Sequence, residues 1–205
     1  MNMYISKSCV VFLVLLATAC QNNERAVDNI PQHKIQKILA TGEKVAVHLQ
    51  KILKGELQAA IKTGGPENAI AVCNTRALQL TSQLSDSFQV PVEIKRTTFK
   101  YRNAANAPDA FEQKALKHFS NLDQDSQPPV NFIQPVDLHG QKGYDYYKPL
   151  YVQPLCLNCH GDPDTMVPGL LTKINSLYPN DKATGYKLND FRGVIRIRIA
   201  DSNLR

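Results

Sequence analysis

The chain has 205 residues, 43% of them apolar, with 24 basic against 18 acidic side chains and a formal net charge of +6. That is enough apolar chain for one domain with a substantial core. The positive excess is mild and dispersed, with Lys95-Arg96 and Arg192, Arg196 and Arg198 the nearest things to clusters, so it argues against a nucleic-acid binder, and no phosphate loop or internal repeat is present.

The N-terminus reads as an export signal. Lys7 precedes the apolar run Val10–Leu16, and Ala17-Thr18-Ala19 stand before Cys20. A basic start, a short apolar stretch and small residues at a cleavage point are the parts of a secretory leader. The run is too short for a bilayer, which needs ~20 residues. Small residues directly before a cysteine resemble a lipobox, which makes residues 1–19 a lipoprotein signal peptide and Cys20 the acylated first residue. Gln21 in the next position resembles sorting to an outer membrane. The expected location is the periplasmic side of a bacterial membrane, lipid-anchored.

Residues 20–31 are polar, end in Pro31 and read as a tether; residues 32–205 form the domain. From Gln32 to Lys62 the apolar residues Ile35, Ile38, Leu39, Val45, Leu49, Ile52, Leu53, Leu57 and Ile61 fall at helical spacing. Gly64-Gly65 ends that helix, and Pro66-Glu67 opens a second one to about Leu84. Ile70, Cys73, Ala77, Leu80 and Leu84 share one of its faces. Residues 90–97 alternate Val90, Val92 and Ile94 and predict a strand. Asp109 caps a third helix over 109–120, and 121–130 is a polar loop. Phe132–Leu138 and Tyr144–Val152 flank the residues 139–143, a hairpin signal. Leu170–Leu177 predicts a short helix. Gly193–Ala200 alternates Ile195, Ile197 and Ile199 with Arg196 and Arg198, a last strand with one wet face. Helices first and antiparallel strands behind them predict an α+β fold.

Cys156-Leu157-Asn158-Cys159-His160 reads C-x-x-C-H, the spacing that attaches a c-type haem. Two thiols three positions apart can add to the two vinyl groups of a porphyrin, and the next histidine then lies under the iron. A zinc site would need further ligands, and no second C-x-x-C or H-x-x-x-H pair exists. The motif and the export signal agree, because c-type haem is attached outside the cytoplasm. Of the five cysteines, Cys9 lies in the leader, Cys20 takes lipid, and Cys156 and Cys159 take porphyrin. Cys73 is left over, and an unpaired thiol in an oxidising compartment calls for an explanation. The second axial position of the iron has the candidates Cys73, Met166, His33, His48, His118 and His139. Residue types alone leave Cys73 divided between an iron ligand and a small buried hydrophobe.

Four blocks carry a family resemblance. Gly65–Ala77 is similar to the first block of a bacterial family of PAS-like single-haem c-type proteins, often catalogued as a domain of unknown function. Arg96–Asp109 resembles its second block, and Lys148-Pro149-Leu150 with Cys156–Gly161 its third. Gly185-Tyr186-Lys187 with Asp190 and Gly193 resembles its closing block, where Asn189 replaces an expected glycine. The resemblance implies a PAS-like antiparallel sheet with N-terminal helices packed around one haem. It also implies an iron held by His160 on one side and the Cys73 thiolate on the other. A thiolate favours ferric iron and a low potential. Arg76, one turn beyond Cys73, is placed to pair a haem propionate or lower the thiol pKa; Arg96 and Arg102 are further propionate candidates. The function this predicts is electron transfer or redox sensing through a separate redox partner protein, rather than catalysis. The rival readings are a haem-based gas sensor and a small peroxidase, the latter needing an open iron and acid/base residues beside it.

Overall fold

The computed structural model describes residues 29–121 and 129–205. The expected leader, Cys20 and most of the expected tether lie outside the described residues, as do residues 122–128 of the expected polar loop. Ile30, two residues before Gln32, is already buried in the core.

One helical stretch, Gln32–Ser87, breaks at Gly64 (φ −155°, ψ 27°) and Gly65 (φ 70°, ψ −174°). Its arms are α1 (32–63) and α2 (66–87), divided where the glycine pair predicts. Gly65 needs the freedom of a residue without Cβ at that φ. Pro66 opens α2, where its missing N–H leaves no bond unmade. The Asn68 side-chain amide donates to the Ala60 carbonyl at 2.9 Å, satisfying an acceptor that the break leaves free.

Four strands, β1 (Val92–Thr97), β2 (Phe132–Leu138), β3 (Gln141–Tyr151) and β4 (Phe191–Ala200), form one antiparallel sheet in the order β1-β4-β3-β2. The β2–β3 connection is shorter than predicted. Only His139 (φ 56°) and Gly140 (φ 85°) lie between the strands. Two successive left-handed residues match the twist of a hairpin, so β3 starts at Gln141 and not at Tyr144.

The helical face of the sheet carries the main core. Val92, Ile94, Tyr146, Ile195, Ile197 and Ile199 meet Ile38, Val45 and Leu49 of α1. α1 crosses so close that a Cβ on Gly42 would lie 2.2 Å from the Tyr146 ring. Glycine is required there for space rather than for its dihedrals.

The other face of β4 is not wet, which corrects the reading of Arg196 and Arg198. α3 (Ala110–Ser120) lies over it, started by a reciprocal cap between Asp109 and Glu112. Ala115, Leu116 and Phe119 of α3 pack on Tyr147 and Val194. Beneath the helix, Arg196 is 2% exposed and Glu112 and Asp145 are fully buried. Arg198 grips Asp145 through two bonds of 2.6 and 2.7 Å. Lys95 Nζ pairs with Glu112 at 2.7 Å, and Arg196 lies 3.4 Å from the same carboxylate. Alternation shows which side a residue faces; a charge is tolerated on a covered side when opposite charges meet it there.

Two further helices, α4 (Leu157–His160) and α5 (Leu170–Leu177), pack against α2, and α5 matches its predicted span. The α+β class holds. Among the described residues no helix is long and apolar enough to cross a membrane.

Candidate haem site

Cys156 ends a short 3-10 turn and α4 continues it through His160. A single helical turn sets Cys156 and Cys159 on one side, with His160 directly after them. Cys73, Cys156 and Cys159 are half-buried free thiols. Among the described residues no group of three or more His, Cys, Asp or Glu side chains could hold a bare metal ion, so nothing there supports a zinc site.

The geometry of His160 is specific. Its Nδ1 lies 2.6 Å from the Ala183 carbonyl oxygen. A carbonyl only accepts, so Nδ1 carries the hydrogen and Nε2 keeps a lone pair able to bind a metal. Burial, with Arg192 and Arg102 adding positive charge, holds its pKa well below the usual range, so the ring is neutral. The segment that supplies Ala183 is stitched to the motif: Gly185 N donates to Gly161 O at 2.8 Å and Tyr186 N to His160 O at 2.9 Å. The Tyr186 ring meets His160 edge-on at 6.3 Å. Two cations sit over the Tyr186 ring, Lys100 Nζ at 4.3 Å and Arg192 at 5.1 Å from its centroid.

α2 brings Cys73 to the same place. Ile70, one turn before it, packs with Leu170, Ile174 and Tyr178, and Cys159 and Met166 lie against this cluster. Cys73 and Cys159 are near enough for the charge of one to act on the other. Burial raises the Cys73 pKa, Arg96 pulls it down, Glu56 pushes it up and Arg102 pulls it down again. Two apolar walls, three thiols and an imidazole with a free Nε2 suit a covalently held porphyrin. Arg102 fits the same group, because its buried Nη1 has no hydrogen-bond acceptor in the protein.

The three arginines part company. Arg76 is 43% exposed, pairs with Glu56 at 3.3 Å and reaches Gln79 at 3.4 Å. Arg96 leaves β1 on the helical side, within electrostatic reach of Cys73 and Tyr178. Arg102 binds the carbonyl of Cys159 at 2.6 Å. The histidine alternatives sit elsewhere: His33 in the first turn of α1, His48 against Phe88, His118 stacked on Phe132, and His139 in the β2–β3 turn. Met166 remains beside the site. Tyr178, Asp181 and Ala183 carry no motif that singles them out, and Arg192 stands in the sequence only as part of a charge cluster. Tyr178 follows α5 with an aromatic that a short amphipathic helix could have flagged. The Ala183 contact is a backbone carbonyl and has no residue signature.

A family model, Tll0287-like, matches residues 21–200. The chain belongs to the Tll0287-like family. The match encloses all four blocks that carried the resemblance. The crystal structure of the cyanobacterial haem protein Tll0287 is similar, with a TM-score of 0.58 and 22% identity over 84% of this chain and 98% of that one. None of the curated proteins matches. The departure at Asn189 leaves its turn intact. Asn189 takes φ 68°, and asparagine is among the few residues that enter the left-handed region readily. Asn189 N donates to Val152 O and Val152 N to Asp190 O, both at 2.9 Å, so this member of the Tll0287-like family closes the turn without the glycine.

Proposed function

We propose that this chain carries one covalent c-type haem, held by Cys156 and Cys159 and ligated by His160 and Cys73, and that it passes or senses electrons outside the cytoplasm. The observation that carries this is the fixed His160 tautomer, with Nε2 free, on a turn packed against the helix face that bears Cys73. The haem character of the named relative points the same way. When bound, the haem supplies a one-electron iron couple. Cys156 and Cys159 contribute the thiols that become thioethers. His160 through Nε2 and Cys73 through Sγ would hold the iron, and a thiolate ligand would donate charge to the metal and favour a low potential. The four-stranded sheet with α1 and α2 across it reads as a PAS-like cradle. The Arg96 guanidinium, which has no side-chain hydrogen bond or ion pair among the described residues and lies within electrostatic reach of Cys73, is placed to meet a propionate. Were His160 and Cys73 both to hold the iron, electron transfer or redox sensing would be favoured over peroxide chemistry, which needs an open iron.

Cys20 anchors the protein to a membrane in this reading. Acyl chains contribute about 0.8 kcal/mol per buried methylene, and two or more hold a protein without a spanning helix. Mass spectrometry of the mature N-terminus should find an acylated Cys20. An unmodified cysteine, or a start at another residue, would remove the anchor.

Cys73→Ala tests the ligation. The haem should stay attached through its thioethers while the low-spin spectrum gives way to a high-spin one. The potential should rise by on the order of 100 mV or more, since axial ligands alone move haem potentials over roughly 0.8 V. Cys73→Ser should act alike, a hydroxyl being a hard and far weaker ligand. An unchanged spectrum and potential in Cys73→Ala would assign the position to another residue, with Met166 the nearest.

A further inference from the structure

Arg102 and Asp181 form the most deeply buried ion pair around the site. Arg102 belongs to the loop between β1 and α3, Asp181 to the segment between α5 and β4. Their side chains are 9% and 6% exposed. The guanidinium holds the carboxylate as a fork, Nε to Oδ1 and Nη2 to Oδ2, both at 3.1 Å. The pair does not end there. Nη2 of Arg102 donates to the carbonyl of Cys159 at 2.6 Å and reaches the carbonyl of Ala183 at 3.4 Å. Oδ1 of Asp181 accepts the backbone N–H of Ala183 at 3.0 Å. The Ala183 carbonyl then accepts the Nδ1 hydrogen of His160. A chain of hydrogen bonds thus runs from Arg102 through Asp181 and Ala183 to the imidazole, and a second bond from the same guanidinium holds the residue before that imidazole. The backbone supports the frame, with Lys182 N donating to Tyr101 O at 3.0 Å.

We infer that the Arg102–Asp181 pair is a positioning clamp for His160, fixing the orientation of its ring and the strength of the hydrogen bond at Nδ1. The inference rests on the haem reading above. Partners behind a metal-bound histidine set its orientation and its basicity, and a planar guanidinium fork is the side chain suited to hold a carboxylate and backbone carbonyls rigidly together. The two charges also act on the iron with opposite sign. Asp181 offsets a buried cation that would otherwise favour the ferrous state, and Arg102 offsets an anion that would favour the ferric state. At the Ala183 carbonyl, which feels both charges directly, the effects run the same way. Without Arg102, the Ala183 carbonyl accepts more strongly from His160; without Asp181, it accepts more weakly.

Opposite shifts are what a merely structural pair would not produce. The test uses the full chain carrying its haem, with three readouts: haem staining on a denaturing gel, the reduction potential, and the low-spin ferric EPR signal. Asp181→Asn should raise the potential, and Arg102→Gln should lower it. The double variant Arg102→Gln/Asp181→Asn should return toward the wild-type potential, yet still move the EPR g values because the ring is no longer held. Arg102→Lys keeps the cation and loses the fork. It should hold the potential near wild type with shifted g values, and it carries the g-value test if the glutamine variant does not accumulate. Potentials that move in one direction in both single variants, or g values that stay fixed in Arg102→Lys and in the double variant, overturn the clamp. A wild-type chain without covalent haem overturns the haem reading and the clamp with it; a loaded wild type with indifferent variants overturns the clamp alone.

Discussion

The double variant Cys156→Ala/Cys159→Ala should give no haem-stained band on a denaturing gel, whereas each single variant should keep a weaker one. This is the largest functional effect expected, because the 3-10 turn and α4 together set these two thiols beside His160. A thioether, the bond proposed here, survives denaturation, so the stain would report attachment and not mere affinity. The fold should persist in the double variant. Cys156 and Cys159 are half-buried and pack only at the edges of their apolar clusters, and alanine leaves α4 a good helix former. Far-ultraviolet circular dichroism close to wild type would separate loss of attachment from loss of structure. A wild-type pigment extracted by acid acetone would sink the covalent reading.

Asp145→Ala has the largest expected effect on stability. The carboxylate is fully buried, grips Arg198 through two bonds and accepts the Tyr147 hydroxyl at 2.9 Å. Burial, and then Asp145 itself, push the Tyr147 pKa far up, so the hydroxyl remains a donor at every ordinary pH. Removing the carboxylate takes both close hydrogen-bonded oxygens from a guanidinium that is 13% exposed, leaving it Glu93 and Asp109 at 3.9 Å each, and strands the buried Tyr147 donor. Breaking a buried pair from one side costs about 3–5 kcal/mol, a large share of a total stability of roughly 5–15 kcal/mol. At about 2–4 °C per kcal/mol for a chain of this size, Tm should fall by roughly 6–20 °C. Lys34→Ala is the internal control. Its pair with Asp201 is more exposed, at 18% and 33%, and such pairs contribute about 0–1 kcal/mol. Urea denaturation of both variants is the measurement. A cost below about 1 kcal/mol for Asp145→Ala would show that the network beneath α3 is solvated and not a buried one.

Features coded by neighbours in the chain are legible in the residues themselves. C-x-x-C-H is a statement about one helical turn. The break between α1 and α2 follows from two glycines and a proline in a row. The start of α3 follows from Asp109 and a glutamate three residues on. In each case the partners are within four residues, so spacing is nearly geometry. The hairpin is recognisable too, but its turn is two residues and not five, because His139 enters the left-handed region alongside Gly140, which residue type alone does not announce.

What faces what across the fold is not legible in this way. Arg196 and Arg198 alternate with isoleucines as solvent-facing residues do, yet α3 closes over them. Glu93 and Asp109, Glu112 and Asp145 come from three separate parts of the chain to neutralise them. The three candidate arginines look alike in sequence, and tertiary packing ties Arg76 to Glu56 while it leaves Arg96 and Arg102 beside the thiols. The order of residues is enough for the attachment turn, the leftover thiol of Cys73 and the α+β succession of elements. It takes the folded chain to pack α2 against that turn and to set the backbone of Ala183 behind the ring of His160. A hydrogen bond to a backbone carbonyl, or a countercharge from a loop 79 positions away, depends on where the chain returns in space, and no residue type records that.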